Sequence, residues 1–101
     1  MRKNKMKLNF DNINVVFIPI RINEKGLCGF CNLTIDDRLA LNGIAVYTKP
    51  NGDGFRLVYP LNKSRLEEIF YFTPITKDFG DILTNAVNDK ITDLLINKKE
   101  Q

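Results

Sequence analysis

Cys28-Gly29-Phe30-Cys31 has the spacing of redox and zinc motifs, the first place in this sequence where side chains could do chemistry. The surrounding pattern gives the two thiols another role. The stretch LCGFCNLTID alternates as a strand does, and residues three apart on a strand point to opposite faces, so the sulfurs would not converge. No second Cys pair completes a tetrahedral site, and the chain has no histidine. That removes the commonest general base, the commonest metal ligand and the usual orienting member of a triad. Asp36 and Asp37 could act as paired carboxylates, but adjacent acids at a strand end read as a turn. NGDG, residues 51–54, lacks the strand-to-helix setting of a phosphate loop and also reads as a turn. The expectation is no enzyme, no metal, no cofactor and no small-molecule substrate.

The cations carry the remaining chemistry. Lys63 and Arg65 stand two apart in LNKSRLEE, after Pro60, with Arg56 on the strand before. Together they could neutralise phosphates while Tyr59 stacks on an exposed base. Glu67 and Glu68 cancel the formal charge of that stretch, so a plain polar hairpin loop is the competing reading. The net charge of +3 has the same ambiguity, because Arg2, Lys3, Lys5 and Lys7 put +4 in the first eight residues and leave −1 for the rest. Such a leader is ordinarily solvated. TPITKD is a candidate helix start, where free amides could hold an anion. Yet Asp78, Asp81, Asn85 and Asp89 project from the same outward face, with Lys77 the nearby cation, so the stretch reads as a capped, solvated helix start.

These residues need a frame. One hundred and one residues make one small domain with a modest core, patterned from 13 to 96 between a basic, flexible leader (1–12) and a short tail (97–101). The longest apolar run, VVFIPI, is far below the ~20 residues that cross a bilayer, and no apolar stretch follows the charges of the leader. The reading is a soluble, cytoplasmic protein without membrane contact, and two cysteines fit a reducing compartment.

Ile13 to Asn23 is rich in β-branched residues. Val16, Ile18, Ile20 and Ile22 share one face at period two, and Pro19 on the other face marks an edge or a bulge. NEKG turns the chain at Gly26, and the return run places Leu27, Cys31, Leu33 and Ile35 on one face. RLALNGIAVYT is a third extended run, KPNGDG a loop of turn formers, FRLVYP a fourth strand ending at Pro60, and IFYF a fifth. A helix begins near Thr76, or one turn earlier where Thr73 and Pro74 also make a cap and first-turn pair, with the stripe Phe79, Leu83, Ala86, Val87, Ile91 and Leu94. Gly80 within that stripe predicts a close approach to the sheet, and Lys90 a snorkelling side chain. The expected fold is α+β, an antiparallel sheet of about five strands followed by one C-terminal helix.

In this order INEKG, CNLTID, GFRLVYP, LNKSR, FTPIT and LTNAV resemble the stage V sporulation protein G family, the SpoVG-like regulators also called septation proteins. The likeness spans about Ile13 to Leu95 and needs no gap from TPIT to NAV. It implies a SpoVG-like domain that pairs through its strands as a homodimer, without a cofactor, in a bacterial cytoplasm. It further implies a regulator that binds DNA or RNA, linked to sporulation or septation control, with its contact on the basic loop and the helix start. Lys63 and Arg65 fall on the family's basic-loop positions. The family's His before Pro-Ile is Thr73 here, and its basic residue early in the helix is Gly80. Binding would then rest on Lys49, Arg56, Lys63, Arg65, Lys77 and the leader as mainly electrostatic contacts. The alternative is a protein-interaction module that keeps the fold and has lost nucleic-acid binding, motivated by a near-neutral domain and an acidic helix face.

Overall fold

The alternating runs pair in sequence order. The computed structural model describes residues 12–64 and 67–99, with side chains as far as 96. Four antiparallel strands, β1 (Ile13–Pro19), β2 (Leu27–Ile35), β3 (Leu39–Thr48) and β4 (Phe55–Val58), lie side by side in the order β1-β2-β3-β4. β1 is an edge, and it ends at Pro19. A separate hairpin follows, β5 (Leu61–Lys63) with β6 (Glu68–Phe70), and then one helix, α1 (Lys77–Lys99). The fold is therefore α+β, but with six strands in two sheets where about five in one meander were expected. The break falls at Pro60, which has no amide proton to offer a ladder. Its carbonyl accepts instead from the Tyr71 N–H at 3.0 Å, and Leu61 to Lys63, expected as loop, becomes a strand.

The first turn is fixed by Asn23, whose Oδ1 accepts from the Lys25 and Leu27 amides at 2.9 and 3.0 Å, while Gly26 takes φ +91°. The second is made by Asp36 and Asp37, both left-handed at φ 55° and 57°, with the Arg38 N–H closing on the Ile35 carbonyl at 2.9 Å. The paired acids therefore do a turn's work, at a conformational cost of about 1 kcal/mol or more each.

The helix lies on one face of the sheet and touches both edge strands, β1 and β4. Between them Cys31, Leu33, Ile44, Val46, Leu83 and Val87 are fully buried. Cys28 and Cys31 both face this core, contrary to the expectation that they point apart. A bulge between Leu27 and Gly29 adds a residue to β2 without reversing the next side chain. Cys28 turns inward, and Leu27, expected on the core face, is left half-buried on the other side. Gly29 is needed for closeness: a Cβ there would meet the Phe17 ring at 2.7 Å and the Ile18 carbonyl at 2.5 Å.

Asn88 fastens the other edge. Its Oδ1 accepts from the Phe55 N–H at 3.1 Å, and its Nδ2 donates to the Phe55 and Thr84 carbonyls at 3.4 and 2.9 Å, so a helical side chain serves β4 as a neighbouring strand would. Thr76 caps the helix, its Oγ1 accepting from the Phe79 N–H at 3.2 Å. Gly80 does not approach the sheet. The nearest atom to a Cβ there is Pro74 Cγ at 3.5 Å, an ordinary contact. Lys90 is half-buried beside β1, as a snorkelling side chain would be.

Candidate nucleic-acid interface

Among the described residues, one side of the four-stranded sheet has no helix over it. Alternation puts Val16 and Ile18 of β1, Phe30 of β2, Ala45 and Tyr47 of β3, and Arg56 and Val58 of β4 on this open side. Ile18, Phe30, Ala45 and Val58 follow one another across the strands as successive paired residues. In the next row Tyr47 pairs with Arg56, and the guanidinium carbon sits 4.6 Å from the ring centroid. That is a cation–π contact at a partly solvated site, and it holds the guanidinium over the ring. Arg56 is the only charged residue in β1 to β4.

The expected cations fall into different settings. Lys49 and Arg56 are brought to one corner by the β3–β4 pairing, which continues past the strands as the Lys49 N–H donates to the Gly54 carbonyl at 3.0 Å. Lys63 is on β5 rather than in a loop, and its Nζ lies 3.9 Å from Glu68 across the hairpin. Lys77 opens the helix and donates to Asp81 at 2.9 Å, and this carboxylate raises the pKa of the ammonium. Both of these pairs are solvent-exposed, so they weaken with salt. Arg65 and the basic leader, residues 1–11, lie outside the described residues.

The helix face is acidic, as the sequence indicated. Asp78, Asp81, Asn85, Asp89 and Asp93 are exposed. A shallow groove of about 470 Å3 between β1 and α1 is lined by Asp89, Lys90 and Asp93, which disfavours a phosphate there.

Phe72, Pro74, Phe79 and Leu83, from the segment joining β6 to the helix and the helix start, wall an apolar cavity of about 320 Å3 with Ile35 and Tyr59. The Tyr59 and Phe72 rings meet edge to face at 6.2 Å. The Tyr59 hydroxyl is buried without a hydrogen-bond partner, and burial, with the nearby Cys31, pushes it up to about 12. Burial likewise pushes Cys31 up to about 11 and raises Cys28, whose Sγ donates to the Val46 carbonyl at 3.4 Å. Thiols held protonated in a core pack rather than attack. Among the described residues no three Cys, Asp or Glu side chains gather as a metal site.

Sequence reasoning passed over Phe30 and Tyr47. The signal was present, because Phe30 alternates against Cys31 and Leu33, and Tyr47 lies near the end of an extended run, two residues before Lys49 opens the loop. No family model, curated protein or solved structure matches the chain.

Proposed function

We propose that this chain is a small, dimeric, cytoplasmic nucleic-acid-binding regulator of the SpoVG-like kind that its ordered segments resemble. The observation that supports this most is the segregation of charge. Arg56 stands over Tyr47 on the open side of the sheet with Lys49 at the same corner and Asp53 in the turn between them, while the opposite layer presents Asp78, Asp81, Asp89 and Asp93 against Lys77 and Lys90. A phosphate chain is attracted to one side of such a molecule and repelled by the other. Sporulation or septation control is the process that the resemblance supplies. The test is a titration of labelled single-stranded and duplex DNA and RNA at two salt concentrations. Binding that weakens with salt is expected, and a flat titration at low salt contradicts the reading.

Self-association is assigned to the segment before the helix, where Ile69, Phe70, Tyr71 and Ile75 are 54%, 44%, 69% and 96% exposed. Such a run is more apolar than a monomer's surface ordinarily leaves open. Light scattering should return twice the 11.6 kDa chain mass, whereas one chain mass at micromolar concentration contradicts the assignment.

The same exposed run favours a second reading, a protein-interaction module that has lost nucleic-acid binding. It gains only if the nucleic-acid titrations are flat and a defined protein partner remains bound after nuclease treatment.

A further inference from the structure

We infer that the open face of the four-stranded sheet is a stacking platform for single-stranded nucleic acid, with Phe30 and the Tyr47–Arg56 pair as its base-contacting groups. The inference rests on the nucleic-acid reading above and names a ligand form and a contact surface for it. Three observations converge on this face. Phe30 is 36% exposed in the middle of a sheet whose other side is covered by the helix, so its ring is presented outward with no other element over it among the described residues. Phe30 pairs with Ala45, two residues before Tyr47, which makes the two aromatic side chains diagonal neighbours, with about 7–8 Å between such positions. Ala45, opposite Phe30, is small, and one face of the Tyr47 ring is taken by Arg56, so the surfaces offered to a base are Phe30 and the outer face of the guanidinium. Arg56 lies over Tyr47 with no carboxylate ion pair among the described residues, and its guanidinium offers a planar cation on which a base can stack.

Charge complementarity decides the occupant. Neither aliphatic burial alone nor a second copy of the chain calls for a lone arginine on the edge strand of an otherwise uncharged sheet. A polyanion whose bases are free to splay uses both the rings and the cation. A duplex hides its base faces inside the stack, so the exposed ring and the guanidinium have no base face to meet there. The ligand is therefore unpaired DNA or RNA, with its phosphates directed to the Arg56 and Lys49 corner. Sequence preference should be slight, since every base has a face to stack.

The experiment is fluorescence anisotropy with a labelled fifteen-nucleotide oligothymidylate and with a duplex of the same length, using the full chain and its Phe30→Ser, Tyr47→Ser and Arg56→Gln variants. Asn85→Ala, on the opposite helix face, serves as reference. Single strand should bind more tightly than duplex. Each aromatic substitution should weaken it roughly 5- to 150-fold, and Arg56→Gln should lower the slope of log affinity against log salt by about 0.7. Equal affinity for duplex, or unchanged affinity in the variants, overturns the inference and leaves the nucleic-acid reading standing. No binding of either form overturns that reading itself. Should a variant unfold, ultraviolet cross-linking of a thiouridine-substituted strand to the unaltered protein decides. Adducts on β2 to β4 support the platform, and adducts confined to the β5–β6 hairpin or the helix overturn it. A dimer that Phe30→Ser converts to a monomer would make this face a self-interface and also overturn it.

Discussion

The two sides of the four-stranded sheet are built from the same strands and differ in what covers them. The inner side sets Cys31, Leu33, Ile44 and Val46 against Leu83, Val87 and Ile91 of the helix. The outer side is nearly as apolar in composition, with Val16, Ile18, Phe30 and Val58, yet Val16 is 57% and Ile18 47% exposed. Hydrophobicity alone therefore does not say which side of β1 is the core. What separates the sides is the helix, together with the three features that seat it: Gly29 under the Phe17 ring, the bulge at Cys28, and Asn88 on the edge of β4.

That contrast breaks most sharply on substitution. Leu33→Ala, fully buried, should lower the unfolding free energy by about 2–5 kcal/mol, whereas Ile18→Thr on the open side should change it by about 0.5 kcal/mol or less, as read by urea denaturation. Equal losses would mean that the outer side is buried in solution. Asn88→Ala leaves the Phe55 amide and carbonyl without their partners and should cost about 1–3 kcal/mol. Amide exchange should quicken along β4 more than along β2.

Tyr59→Phe works in the opposite direction. It removes a buried hydroxyl without a partner and should stabilise the fold by about 1 kcal/mol. It should also blunt alkaline unfolding. The folded values of Tyr59, about 12 against 10.0, and of Cys31, about 11 against 9.0, are raised. Their contribution is complete below the unfolded values and is lost as pH rises from about 9 toward 12. A pH series of thermal unfolding should show that decline, smaller in the variant. A small gain is expected from Gly80→Ala, which has room beside Pro74 and should add about 0.5–1 kcal/mol of helix stability. A loss there would mean that the Pro74 contact is tighter than the geometry shows.

The helix was legible in the sequence because its apolar stripe recurs at helical spacing despite Gly80 and Lys90, although its start was legible only to within the turn between Thr73 and Thr76. The first hairpin was legible because Asn23 and Gly26 are turn residues with a mechanism. The inward turn of Cys28 was not, since a bulge changes side-chain parity and leaves no mark in residue type. Nor was the isolation of the β5–β6 hairpin, because Pro60 signals that a strand ends without saying where the chain goes next. Lys49, Arg56, Lys63 and Lys77 were legible as cations, but their separation into a free corner and two ion-paired positions depends on which carboxylate comes opposite. Phe30 and Tyr47 were legible as alternating residues and became a candidate surface only when one side of the sheet was seen to lie open.

The most direct test follows backbone amide resonances while an oligothymidylate is added to isotopically labelled protein. The account predicts shifts clustered at Phe30, Ala45, Tyr47, Lys49 and Arg56, with the exposed helix positions Asp81, Asn85 and Asp89 unmoved. Shifts confined to the helix and the β5–β6 hairpin, with the open side of the sheet silent, would contradict it.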